Sequence, residues 1–198
     1  MAHIDYYMIT LSPFCYLAGD GLEKIAAKHG ATITYKPVNL FQVFAATGGV
    51  APADRHPARM AYRTQELMRI AKGNQMEINL KPAFFPTNPA PSCFALIAAQ
   101  NAGGGDVGAL AQSMLKACWV EEKDLGEDAV VRACLEENGF DPALADSGML
   151  AGAETFEKNT EEAIQKGVFG APMYVVGDEM FWGQDRLSYL DAYLGEQG

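Results

Sequence analysis

The sequence predicts an α/β fold in which a small sheet is divided between the two ends of the chain and a large all-helical insertion separates them. Two observations carry this reading. Runs of β-forming residues occur only near the ends, and from residue 41 to 150 the regular patterns repeat at helical spacing, punctuated by Gly, Pro and Asn. The order of elements is a third: strand-helix-strand at the start and helix-strand-strand-helix at the close.

HIDYYMITL (3–11) reads as the first strand. SPFCYLAGDGLEKIAAKHG (12–30) follows as a helix, with Ser12 as N-cap, Pro13 at the first helical position and Gly30 as terminator. ATITYKPVNL (31–40) is the second strand. Helical periodicity then runs through ARMAYRTQELMRIAKG (58–73), APSCFALIAAQNAGGG (90–105), VGALAQSMLKACWVEEK (107–123) and EDAVVRACLEENG (127–139). AETFEKNTEEAIQKG (153–167) is an acidic-to-basic amphipathic helix ending at Gly167. APMYVVG and EMFWG are two short strands joined by Gly177 and Asp178, and DRLSYLDAYLG closes the chain as a helix. The ends, 1–40 and 151–198, thus supply the element order of a thioredoxin-like domain, and 41–150 is the helical insertion.

Composition bounds the function. The 198 residues, 49% hydrophobic and 20% charged, suit an ordinary globular protein with a substantial core. A formal charge of -10 with scattered basic residues argues against nucleic-acid partners, which need a Lys/Arg surface. No apolar run approaches the roughly 18 residues needed to span a bilayer, and MAHIDYYMI is no signal sequence, so the expected location is the cytoplasm, without a membrane partner.

Cysteines stand at 15, 93, 118 and 134, with no two-residue spacing that would signal a zinc site or a dithiol pair. No metal is expected, and Cys93, Cys118 and Cys134 are read as buried thiols. Gly103–Gly105 with Gly108 follow a helical pattern rather than a strand and are read as a loop. No nucleophile elbow is present, and His3, His29 and His56 offer no orienting acid at informative positions in the sequence, which weakens a hydrolase reading.

The turn from the first strand to the first helix, Ser12-Pro13-Phe14-Cys15, has the shape of a thiol oxidoreductase active site with a hydroxyl in place of the leading sulfur. LSPFCYLA, GVFGAPMYVVGDEMFWGQDRL (167–187), TGGVAPADRHPARMAYRTQELMRIA (47–71), PTNPAP (86–91) and KACWVEE (116–122) together resemble the 2-hydroxychromene-2-carboxylate isomerases and the related kappa-class glutathione transferases. The resemblance runs through essentially the whole chain. It implies a thioredoxin-like domain with a helical insertion, glutathione as cofactor, a small aromatic substrate and a homodimer.

The resemblance also implies residue roles. Ser12 is the catalytic residue, donating a hydrogen bond to the glutathione thiolate with help from the helix dipole. A free thiol titrates near about 8.5, and holding it mostly ionised at neutral pH takes roughly 2.7 kcal/mol of anion stabilisation. Pro172 is expected in a cis bond facing Ser12, with the Ala171 backbone pairing with the cysteinyl part of glutathione. Gln184 and Asp185 hold its γ-glutamyl end, although Asp185 is also a candidate N-cap for the last helix. Arg59 is the candidate carboxylate clamp of the site, or a solvated helix charge. Arg63, Tyr62 and Arg69 share its helix, and only some of them can face the site. Phe14 and Asn88 are the candidate substrate contacts, Asn88 being equally a helix cap. Phe181 and Trp182 are read as core.

The chain departs from the family pattern at Ile9 and Thr10, where an Asp-Phe pair is usual, at Cys15, where a small or hydroxyl residue is usual, and at Gly49, where an Asn is usual. Three alternatives stay open: a glutathione transferase or peroxidase on the same scaffold, a disulfide oxidoreductase, and a non-enzymatic peptide-binding module.

Overall fold

In a computed structural model, described for residues 1–196, the four strands form one mixed sheet in the order β2-β1-β3-β4. The last two residues of the expected 151–198 segment lie outside the described residues. β1 (His3–Met8) runs parallel to β2 (Thr32–Pro37) and antiparallel to β3 (Met173–Val176), which pairs antiparallel with β4 (Glu179–Trp182). The alternation of β1 assigns its faces. Ile4, Tyr6 and Met8 enter the main core, whereas Tyr7 joins Val38, Val43, Ala163, Val168, Met173 and Val175 in a second cluster on the opposite face.

The first helical segment is two helices rather than one. α1 (Pro13–Leu17) and α2 (Gly21–His29) are separated by Gly19 at φ +59°, a left-handed turn that glycine adopts without a steric penalty. Distant side chains fasten the break. Gln112 donates to the Gly19 carbonyl at 2.7 Å and Asn74 to the Leu17 carbonyl at 2.9 Å, so the chain ends of α1 keep their hydrogen bonds.

The second strand stops at Pro37, short of the expected residue 40, because Asn39 caps an unforeseen helix. Its Oδ1 accepts from the Gln42 N–H, opening α3 (Leu40–Thr47), and Gly48 closes that helix. A 3₁₀ turn (Pro52–Asp54) leads into α4 (Pro57–Gly73), followed by α5 (Ala90–Ala102), α6 (Val107–Trp119), α7 (Asp128–Glu137), the short α8 (Leu144–Ser147) and α9 (Met149–Lys166). α5 is buried on most sides, among them Ser92, Cys93 and Ala95 to Ala99, and packs against β2, α6, α7 and α9. From it Gln100 bonds both the N–H and the C=O of Tyr35, which covers the open edge of β2. α10 (Leu187–Glu196) returns to α2, where Asp191 takes Lys28 and His29. Gly103–Gly105 lie in the loop between α5 and α6, as expected, whereas Gly108 belongs to the first turn of α6. Among the described residues no helix is long and apolar enough to cross a membrane.

Candidate functional site

Strand β1 delivers the chain to Ser12, which is 7% exposed and takes the N-cap position of α1. Its Oγ accepts the Cys15 N–H at 3.2 Å, which leaves the hydroxyl hydrogen to be offered to another acceptor. The expected dipole contribution shrinks, because the helix that Ser12 caps has only five residues before the Gly19 break. Anion stabilisation at this point therefore falls on the hydroxyl, the first backbone N–H groups and nearby cations.

No protein sulfur is offered here. Cys15 points into the core at 0% exposure, and burial pushes its thiol up against smaller opposing contributions from the Ser12 hydroxyl, the Ile9 backbone and Tyr6. The other three cysteines are also free and buried. Burial takes Cys93 to about 11 and Cys118 to about 12, and raises Cys134. At neutral pH these four are thiols, not nucleophilic thiolates.

Two cavities meet at the end of α1. The smaller, about 190 Å³, is lined by Ser12, Phe14 and a wall of apolar groups that includes Ile9, Phe41, Phe44 and Phe85. The larger, about 610 Å³, is bounded by Arg59, Ala171, Pro172, Gln184 and Asp185. Phe14, Arg55, Arg63, Ala171 and Trp182 border both. The Ala171–Pro172 bond is cis, as is Phe85–Pro86, and Ala171 lies outside the β3 ladder.

Seven of the eight expected residues thus line one cavity or the other. The eighth, Asn88, is exposed and accepts the Ala90 N–H on its Oδ1 at 3.1 Å, an Asx turn just ahead of α5, whose N-cap is Pro89. Asp185 does not cap α10. It sits in the 3₁₀ turn Gln184–Arg186 and bonds Arg186 Nη1 at 2.6 Å. On α4, Arg63 faces the site with Arg59, one turn apart, while Arg69 turns away to Glu66 and Gln65.

The structure corrects the reading of β4. Phe181 packs inward against Tyr193, but Trp182 is 53% exposed, borders both cavities and meets Phe169 edge-on at 4.8 Å. Two adjacent strand residues must face opposite ways, so the alternation already required one of them to leave the core. Arg55 was missed altogether. It lies in the turn before α4, its Nε on the Val50 carbonyl at 2.8 Å and its guanidinium 5.7 Å from the Phe44 ring.

Two departures from the family pattern acquire local causes. Thr10 is fully buried and its Oγ1 lies 2.7 Å from Ser92 Oγ, tying the end of β1 to α5, while Ile9 packs on Cys93, Ile97 and Phe156. A β-carbon at residue 49 would stand 2.5 Å from the Phe44 ring, so any side chain there would have to displace Phe44.

The comparisons agree with this geometry. The family model described as DSBA-like thioredoxin domain matches residues 3–195. A 2-hydroxychromene-2-carboxylate isomerase of Sphingobium xenophagum is 32% identical over 194 residues, covering 96% of this chain and 97% of its own. A protein of the same name from Pseudomonas putida is 30% identical over 195 residues, covering 97% and 94%. The solved structure of a 2-hydroxychromene-2-carboxylate isomerase superposes with a TM-score of 0.82 at 28% identity, covering 98% of this chain and 95% of its own. The chain belongs to the DSBA-like thioredoxin family, among the relatives of the 2-hydroxychromene-2-carboxylate isomerases.

Proposed function

We propose that the protein is a glutathione-dependent isomerase that converts 2-hydroxychromene-2-carboxylate, or a closely related intermediate of aromatic degradation, to its trans ring-opened benzylidenepyruvate. One observation carries the cofactor: a site with the surroundings of a thiol active centre presents a hydroxyl, while all four described cysteines are buried. The sulfur must then be brought by a diffusible thiol. The names of the relatives at about 30% identity support the substrate.

The residues present fit glutathione. The larger cavity, at about 610 Å³, lies within the roughly 300–1,000 Å³ typical of cofactor sites. Around it stand an amide at Gln184, a carboxylate at Asp185 for an ammonium and a guanidinium at Arg59 for a carboxylate. Ala171, outside the ladder, leaves a backbone edge for an extended peptide. The smaller cavity, about 190 Å³ and walled by Phe14 and other apolar groups, suits one aromatic ring, since an apolar cavity of about 150 Å³ accepts benzene.

When bound, glutathione supplies a thiolate for reversible conjugate addition, which makes a carbon-carbon double bond free to rotate. Ser12 donates its hydroxyl hydrogen to that sulfur and holds it ionised. Phe14 and Trp182, at the junction, exclude water and orient the ring beside Ser12. The reading extends to a homodimer working in the cytoplasm, supported by the family resemblance and by free thiols.

The direct test follows the absorbance of 2-hydroxychromene-2-carboxylate with and without glutathione, beside Ser12→Ala. Turnover is expected only with glutathione, and the variant is expected to lose roughly 10²–10³-fold, as for removal of one donor to a reacting anion. Turnover without glutathione, or a variant at full rate, contradicts the proposal. Accumulation of a glutathione conjugate instead of isomer favours a transferase.

A further inference from the structure

The seam between the two cavities holds a pair of cations with no assigned task. Arg55 and Arg63 border both cavities, whereas Arg59, Gln184 and Asp185 border only the larger one. Among the described residues they are the only charged side chains lining the smaller, aromatic cavity. Among the described residues neither is bound to a carboxylate. The two acidic groups nearby on the wall of the larger cavity are already engaged, Glu66 by Arg69 and Asp185 by Arg186.

Both guanidiniums are held in place by aromatic rings of the smaller cavity. Arg63 lies 5.7 Å from the Phe14 centroid and Arg55 5.7 Å from the Phe44 centroid, with Arg55 Nε further fixed on the Val50 carbonyl. Burial and mutual repulsion act against their charge. Desolvation, then Arg59, lowers Arg55 from its ordinary value, and desolvation, then Arg55, lowers Arg63. Unpaired, partly buried cations that crowd one another are stabilised by an anion placed between them.

Resting on the function proposed above, we infer that Arg55 and Arg63 are the specificity determinants for the aromatic substrate, binding its 2-oxo carboxylate at the seam while the ring occupies the Phe14–Phe44 cavity. The division of labour follows from the lining. Arg59 serves the cofactor side, and the seam pair fixes how far the substrate slides past Ser12, and so which carbon meets the sulfur. A neutral aromatic enone would fill the cavity but would leave both guanidiniums uncompensated.

The test measures binding of benzylidenepyruvate by calorimetry without glutathione, to the wild type, Arg55→Gln, Arg63→Gln and Arg69→Gln. Loss of a charge-assisted hydrogen bond predicts affinity lower by roughly ten- to a hundredfold for Arg55→Gln and for Arg63→Gln. Arg69→Gln, on the same helix but turned away, is expected to bind as the wild type does. The methyl ester is expected to bind the wild type about as weakly as the acid binds Arg63→Gln. Equal affinity of acid and ester, equal binding by all four proteins, or no binding to the wild type overturns the inference. A parallel glutathione titration, expected to respond to Arg59→Gln and not to Arg63→Gln, separates the two claims. If glutathione fails to bind while the acid still depends on Arg63, the function falls and the seam assignment stands.

Discussion

On the α9 side of the sheet, Lys36 and Lys166 are enclosed by Asp5 and Glu162, with ion-pair contacts of 2.8 to 3.1 Å, and the Tyr7 hydroxyl adds a bond to Glu162 at 2.9 Å. At the end of α1, the half-buried Arg55 and Arg63 face open cavity, and among the described residues neither has a carboxylate partner, the Glu66 and Asp185 of that cavity being paired with Arg69 and Arg186. Both clusters hold partly desolvated charge, yet only the first is complete within the chain. A folded protein that leaves cations half-buried and unpaired is prepared for a ligand, because internal pairing would have been the more stable choice. The difference is the ground on which the second cluster, and not the first, is proposed to take a ligand.

The comparison breaks most visibly at Lys36. With its side chain 13% exposed, Lys36→Met leaves Lys166 as the one lysine between Asp5 and Glu162, and a loss of about 2–3 kcal/mol is expected. For a chain of this size that is a Tm lower by roughly 5–10 °C, measured calorimetrically, with glutathione-dependent turnover unchanged at a temperature where the variant stays folded. A variant as stable as the wild type shows that this network is ornamental.

Acid sharpens the same contrast. Burial alone would raise the Glu162 carboxyl, but hydrogen bonds from Lys36, Lys166 and Tyr7 prevail and hold it at about 2, below the ordinary carboxylate value. A depressed folded-state value means the stabilisation is complete above the unfolded value of about 4.5 and disappears as the pH falls toward 2. Since Glu162 is about one-third exposed, screening leaves about 1–2 kcal/mol of it. Denaturant midpoints followed from pH 5 to about 2 should fall more steeply in the wild type than in Glu162→Gln; parallel curves contradict this.

The smallest effect is expected at Arg63. Without ligand, Arg63→Gln removes a charge that no carboxylate among the described residues compensates, so stability should stay level or rise by under about 1 kcal/mol. A loss comparable to that of Lys36→Met would mean that Arg63 has a structural partner after all.

How much of this was legible depended on how local its cause is. The N-cap at Ser12 and Pro13 follows from the chemistry of two adjacent residues, and the strands at both ends from simple alternation. The break at Gly19 did not follow, since Gln112 and Asn74, far along the chain, stabilise it. α3 was hidden because LFQVFAAT is apolar and aromatic, and its one clear signal was Asn39 as cap. In the site, the four-residue spacing of Arg59 and Arg63 put both on one face of α4, and Arg55 escaped notice because it precedes the helix. That the seam arginines lack partners is a tertiary fact which no spacing reports.

The account turns on Ser12 holding a borrowed sulfur as its anion. Titrating the ultraviolet absorbance of the thiolate in the saturated glutathione complex, for the wild type and Ser12→Ala, tests that most directly. The bound thiol should ionise well below the free value of about 8.5 in the wild type and shift back toward it in the variant. A bound thiol that titrates like free glutathione, or identically in both proteins, would contradict the account.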